Sequence, residues 1–279
     1  MRQTKEFILL SGVKCVIQEL TGKHERMLTT KKSDTRNAYT EMLTDCILSL
    51  GDISPVNQNH VKRMLEADRK HALIELRQFS NDYDPKFKFS YEFALTGGKR
   101  EKHEYEVDFS FAVVDVVKKE AEEEVEGETE LIDKKNSEVN FVAKPYFKKW
   151  NSYSEIANDK KQTIILPKSG ETIEFSMLDG ETTELFGPKH EDEITSHTLI
   201  KMRNPLVIRQ DEKGVKKPGI KLELDNLSFK DINFLREKIL ELEGNIDTTM
   251  VIAHPSDPSR TARVDLINLA SFFFPSLVL

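Results

Sequence analysis

The chain has 279 residues, 38% apolar and 32% charged, which sets a prior of one or two domains of ordinary size and excludes a wholly disordered chain. Its formal net charge is −7, and the stretch Lys118 to Lys135, with eight acidic and four basic residues, supplies −4 of it. Outside that stretch 37 basic residues face 40 acidic ones, which argues against a nucleic-acid partner, and no apolar run approaches the roughly 18 to 20 residues that cross a bilayer.

The N-terminal MRQTKEFILL has a short apolar core and no small-residue cleavage site, so it does not read as a signal peptide. Two apolar strands then flank Ser11-Gly12, and Gly12 is the residue expected to turn one back on the other. Gly22, ten positions on, is expected to end the returning strand. A helix is predicted from about Thr35 to Leu50, with Ala38, Met42, Cys46 and Leu50 on one face and cap oxygens from Ser33, Asp34 and Thr35. A second is predicted from about Asn59 to Phe79, striped by Val61, Leu65, Ala72 and Leu76. Asp68 falls on or beside that stripe and should be paired, with Arg69 and Arg77 the nearby cations. Two strands follow, Phe87 to Phe93 and His103 to Phe111, the first alternating aromatic residues at period two.

After an acidic, aperiodic stretch comes VAKPYFKKWNSYSEI, basic and aromatic, with Tyr146, Phe147, Trp150 and Tyr153. Such a segment packs its rings onto a domain surface, docks a partner protein or stacks bases, and the overall charge makes the last weakest. Strands around Ser169-Gly170 come next, then a weaker helix from about Asp192 to Met202. A stronger helix begins at Ser228, where Ser228 and Asp231 form a capping-box-like pair, and Gly244 is expected to end it in a left-handed conformation. Strands at Thr248 to Ala253 and Thr261 to Leu266 are joined by HPSDPSR. The final SFFFPSLVL either completes the local core or meets a neighbouring subunit.

The two halves match at a shift of 158 residues. Ser11-Gly12 aligns with Ser169-Gly170 and Leu20-Thr21-Gly22 with Leu178-Asp179-Gly180, and Asp108 and Asp265 lie at nearly the same shift. The reading is a tandem α+β duplication, each unit a β-hairpin, two helices and a β-hairpin. Residues 1–117 form the first unit, 118–161 an acidic then aromatic-basic linker, and 162–279 the second.

No phosphate-cradling loop, dinucleotide fingerprint, zincin motif or nucleophile elbow occurs, so no enzyme, no catalytic residue and no cofactor is expected. His190, Glu191, Asp192, Glu193 and His197 are the densest set of potential ligands, but they read better as the charged first turn of a helix, and no metal is expected. Cys15 and Cys46 read as separate reduced thiols of a cytoplasmic protein.

LTGKHERML (Leu20 to Leu28), DRKHALIELR (Asp68 to Arg77), LREKILELEG (Leu235 to Gly244) and SFFFPS (Ser271 to Ser276) together resemble the baseplate-hub and tail-assembly proteins of T4-like contractile-tailed phages, over about half of the chain. Relatives often carry a Cys-x-x-Cys pair in the strand pair after the helix, and here those places read FKFSYEF and VIAHPSDPSR. The resemblance implies a non-enzymatic structural or assembly component that bridges other tail or baseplate proteins, homo-oligomerisation included. It would reside in the host cytoplasm during assembly and then in the virion tail. The acidic stretch leaves a transient tail-assembly chaperone, absent from the finished particle, as the alternative. The expected partner contacts are Phe272, Phe273, Phe274, Tyr146, Phe147 and Trp150. The expected structural positions are Gly12, Gly22, Asp68, Arg77, Gly170 and Gly180. Truncation after Ser271 is expected to leave folded monomers that no longer assemble.

Overall fold

The computed structural model describes residues 2–30, 35–94, 99–113, 137–186, 196–209 and 217–275. The fold is mixed α+β. Strands β1 (Thr4–Ile8) and β2 (Lys14–Gln18) form an antiparallel hairpin, and helices α1 (Gly22–Thr30) and α2 (Thr35–Cys46) lead to β3 (Ile47–Leu50), which adds to β2. Here the expected helix ends four residues early. Ile47 and Leu50 find backbone partners in Ile17 and Cys15, and this pairing outcompetes one more helical turn.

The expected helix from Asn59 to Phe79 is two, α3 (Gln58–Lys62) and α4 (Glu66–Ser80). No Pro or Gly breaks it. Leu65 takes an extended conformation and bridges Asp179 from the second half, and the Glu66 N–H donates to Leu178 O at 3.0 Å. A tertiary strand contact has overridden local periodicity, yet Val61, Leu65, Ala72 and Leu76 are all fully buried as the stripe requires.

Next come β4 (Lys86–Ala94) and β5 (Arg100–Val113), antiparallel in register from Lys86↔Asp108 to Ala94↔Arg100. Part of the predicted linker is a strand. β6 (Ser137–Lys144) runs parallel to β5, from Val107↔Ser137 to Val113↔Ala143, while the acidic stretch lies outside the described residues. The segment continues into α5 (Tyr153–Asp159).

The second half starts with β7 (Lys161–Ile165) and β8 (Thr172–Ser176), then α6 (Gly180–Phe186) and α7 (Ser196–Lys201); the first residues of the predicted Asp192 helix lie outside the described ones. β9 (Leu206–Ile208) pairs with β8, β10 (Ile220–Lys221) pairs with β9, and α8 (Phe229–Leu242) follows. Short β11 (Asn245–Ile246) pairs with β6 and so completes the sheet order β11-β6-β5-β4. The hairpin β12 (Thr249–His254) and β13 (Asp257–Asp265) absorbs most of the predicted HPSDPSR loop into strand. Helix α9 (Ala270–Phe273) closes the described chain.

The described residues form two apolar cores. The larger runs from Leu9 to Phe273 and combines the first half, the segment from Phe141 to Ile156 and the C-terminal hairpin with α9. The smaller joins Ile173 and Phe175 of β8 to Val207, Leu235 and Ile239. Leu242 touches both. No helix among the described residues is long and apolar enough to cross a membrane.

Candidate functional site

The two Ser-Gly turns share a positive-φ glycine, and the loop between the paired strands is one residue longer in the second. Gly12 has φ +93° and Gly170 φ +71°, conformations that cost a residue with a Cβ but not glycine. In the first turn the Gly12 N–H donates to Leu9 O at 2.9 Å; in the second the Gly170 N–H donates to Leu166 O at 3.0 Å. Each turn is then clasped by a carboxylate from the third residue of a long helix. Asp68 of α4 accepts the Ser11 N–H at 2.9 Å. Asp231 of α8 accepts the Lys168 N–H at 2.8 Å and the Ser169 N–H at 3.2 Å.

The two carboxylates differ in ionisation. Burial pushes Asp68 up to about 6, against the pull of the Ser11 hydrogen bond and of the charges of His71 and Lys149. Burial also works against ionised Asp231, but the N–H groups of Lys168 and Ser169 and the Ser228 hydroxyl hold it below the usual carboxylate range. Neither Arg69 nor Arg77 is the partner expected for Asp68. The backbone of the turn takes that place: Arg69, the next residue, points around the helix to Thr40 and Glu184, and Arg77 lies more than two turns further along α4. Asp231 was legible only as half of a capping pair, which it also is: the Asp231 N–H donates to Ser228 Oγ at 3.2 Å.

Arg69 reaches across to the second half instead. Its Nη2 donates to Thr40 Oγ1 at 2.7 Å and to Glu184 Oε1 of α6 at 3.1 Å. Gly180 makes room for it, since a Cβ there would lie 2.7 Å from Arg69 Cδ and closer still to the guanidinium. Gly22, its sequence counterpart, faces open space. Both glycines open helices rather than ending strands. Gly244 has no positive φ; a Cβ there would meet the Tyr146 ring at 2.8 Å, so close packing rather than a left-handed stop explains it. Nearby, Lys160 Nζ donates to Asp179 Oδ2 at 2.6 Å, and Arg203 holds Glu243 through Nε at 2.8 Å and Nη2 at 2.5 Å.

Arg77 is fully buried. It donates to Lys86 O at 3.0 Å and its guanidinium lies 5.5 Å from the Phe109 ring centre and 5.9 Å from that of Phe272. Burial pulls its pKa down to about 10.

Four of the six aromatics expected to face a partner are buried inside the chain: Tyr146, Trp150, Phe272 and Phe273. Tyr146 Oη accepts the Ala67 N–H at 3.2 Å, and the Trp150 N–H donates to Ser11 O at 2.9 Å, so this segment lies over the first turn. Phe272 packs against Phe87, Phe109, Phe141 and Phe273 at ring separations of 5.1 to 6.1 Å. Phe274 is partly buried against the same core. Phe147 alone of the six is exposed, at 73%; its N–H donates to Leu242 O at 3.3 Å, which sets it at the end of α8 where Leu240 is exposed too. Apolar rings in a chain's own core lower its free energy whether or not a partner exists, so aromatic content does not distinguish the two roles.

One cysteine arrangement superficially resembles catalytic machinery. Cys46 Sγ is 3.6 Å from His24 Nε2, and Asp45 Oδ2 is 2.9 Å from the same nitrogen. A working base would offer the thiol one ring nitrogen and the orienting acid the other. Here His24 Nδ1 is taken by the Thr21 N–H at 2.9 Å, Cys46 is fully buried, and burial pushes its thiol up to about 12. Cys15 is likewise buried and its thiol is pushed upward. Of the sequence-predicted ligand cluster, His190, Glu191, Asp192 and Glu193 lie outside the described residues, and His197 Nδ1 faces Asp225 Oδ1 at 3.6 Å. No family model, curated protein or solved structure matches this chain.

Proposed function

We propose that this chain is a non-enzymatic structural or assembly component of a contractile phage tail or baseplate, built from two tandem similar units that bridge other tail proteins. The observation that carries the reading is the repeated clasp. A positive-φ Ser-Gly turn is held by the third residue of a long helix in each half, Ser11 by Asp68 and Ser169 by Asp231. In each half the hairpin also gains a third strand on its second strand after two intervening helices, β3 on β2 and β9 on β8. Two pseudo-equivalent units on one chain offer two related surfaces in fixed relation, as a dimer does. The four segments that resemble the tail-assembly family lie on this frame: α1, α4, α8 and α9.

Phe147 is the contact residue this reading keeps. An exposed aromatic beside an exposed Leu240 has more to gain from a protein neighbour than from water. The acidic stretch supports the second reading, a transient chaperone, since such arms solvate and are easily displaced.

Quantitative mass spectrometry of purified particles and of infected-cell lysate tests the proposal. Peptides of both halves at a small fixed ratio to a ring protein are expected, with Phe147→Asp lowering that ratio at unchanged melting temperature. Presence in lysate but not in particles moves the role to the chaperone, and absence from both overturns the assignment.

A further inference from the structure

We infer that Glu101, His103 and His254 form a binding site for a zinc-like divalent cation that fastens the C-terminal hairpin to the four-stranded sheet. Glu101 and His103 are two apart on β5 and so share a face, while His254 ends β12, 151 residues further along the chain. Their ligand atoms converge. The two histidine Nε2 atoms are 3.3 Å apart; Glu101 Oε1 is 3.0 Å from His103 Nε2 and Glu101 Oε2 is 3.4 Å from His254 Nε2. Among the described residues this is the group of three His, Cys, Asp or Glu side chains close enough to share an ion.

The separation of the two histidine nitrogens is that of a tetrahedral edge, and Glu101 presents one oxygen to each of them. Zinc–nitrogen bonds of about 2.0 to 2.1 Å at the tetrahedral angle place two ligand nitrogens about 3.3 to 3.4 Å apart, and a carboxylate oxygen at a similar bond length comes out much the same. Two imidazoles and one carboxylate suit zinc in preference to magnesium or calcium, which take oxygen ligands. Water completes the fourth position on the open side, where Glu101 is 44% exposed.

The surroundings orient the ligands. The Tyr105 hydroxyl donates to Ala253 O at 2.9 Å, tying β5 to β12 one residue from His254. The His254 ring, 3% exposed, is flanked by Phe93 at 5.1 Å and stands at 78° to His103. Ser256 offers two groups to His254 Nδ1, its N–H at 3.2 Å and its Oγ at 3.1 Å. Without a cation the N–H contact keeps the ring proton on Nε2. A cation on Nε2 requires that proton on Nδ1, where Ser256 Oγ accepts it and the Ser256 N–H has to release the ring.

The test is calorimetric titration of the full chain, stripped of metal by a chelator, with Zn²⁺. The expected result is one equivalent bound, a higher melting temperature with zinc, and a tetrahedral visible spectrum when Co²⁺ replaces it. His103→Ala and His254→Gln each remove the binding, Ser256→Ala weakens it roughly 10- to 100-fold, and His197→Ala leaves it intact. Should His254→Gln fail to fold, the more exposed His103→Ala carries the comparison. Absence of saturable binding reduces the trio to a hydrogen-bonded cluster and overturns the inference, as does binding that survives both histidine changes or is lost with His197.

Discussion

Gly22 and Gly180 occupy matching places in the two halves, yet replacing each by alanine should have opposite consequences. At Gly22 nothing lies within 4 Å of an added Cβ, and alanine is the better helix former by up to about 1 kcal/mol. Gly22→Ala should therefore be neutral or slightly stabilising. At Gly180 the Cβ occupies the space of Arg69, whose Cδ would be 2.7 Å away. An arginine tip normally swings aside cheaply, but this one is buried and bonded to Thr40 and Glu184. Displacing it leaves Glu184, whose side chain is only 11% exposed, without its cation. Breaking a buried pair in this way costs about 3 to 5 kcal/mol. That is a large part of the roughly 5 to 15 kcal/mol that stabilises an ordinary domain. Urea unfolding of the two variants, and of Gly180→Ala combined with Arg69→Ala, reads the effect directly. In the double variant the methyl has nothing to displace, so the two changes should cost far less together than the sum of each alone. Equal effects of the two glycine changes, or strict additivity of Gly180→Ala with Arg69→Ala, would refute the packing argument.

Three further outcomes follow from burial. Asp68 sits at about 6 in the folded chain, above the ordinary carboxylate value of about 4, so the folded state binds its proton more tightly than the unfolded state does. Stability from this group is therefore complete below about pH 4 and is lost as the pH rises to about 6, by about 3 kcal/mol in all. Asp68→Asn retains an oxygen for the Ser11 N–H but cannot ionise, so denaturant curves should show the variant gaining on the parent across that window; a pH-independent difference would count against the shift. Phe272→Ala removes a fully buried ring and should cost about 3 to 5 kcal/mol. Truncation after Ser271, which also removes Phe273, should then abolish the cooperative melting transition, whereas a well-folded truncated monomer would return these rings to a contact role.

Much of the local structure was legible because periodicity and turn chemistry are local. The aromatic alternation of β4 and the cap at Ser228 lie where the sequence places them. What was not legible depends on partners distant in the chain. Ile47 to Leu50 read as helix until β2 is beside them, and Leu65 reads as helix until Asp179 bridges it. Arg77 was offered to Asp68, but only the fold reveals that the Ser11 backbone arrives first. Tyr146 and Trp150 carried the composition of a docking peptide, and composition cannot say which surface a ring will cover. His103 and His254 had no motif spacing at all, since 151 residues separate them.

The same distant contacts bear on whether two similar units could act as one rigid bridge. A duplicated chain joined only by a flexible linker would still gain from tethering its two surfaces, but the spacing between them would not be fixed. Here α4 of the first half is engaged by the second at several points: the Glu66 N–H on Leu178, the Gly180 N–H on Met64 O at 3.0 Å, and Arg69 on Glu184. The C-terminal hairpin and α9 return to the larger core, where Phe272 and Phe273 pack beside first-half residues such as Phe87. Separating the second half from the first opens that core or parts a buried ion pair. Each costs several kcal/mol, well above thermal energy at 25 °C, so the halves keep one arrangement. For the bridging role proposed, that makes the geometry between the two clasped turns part of what a partner recognises, and it explains why a contact residue such as Phe147 needs no local rigidity of its own beyond its bond to Leu242.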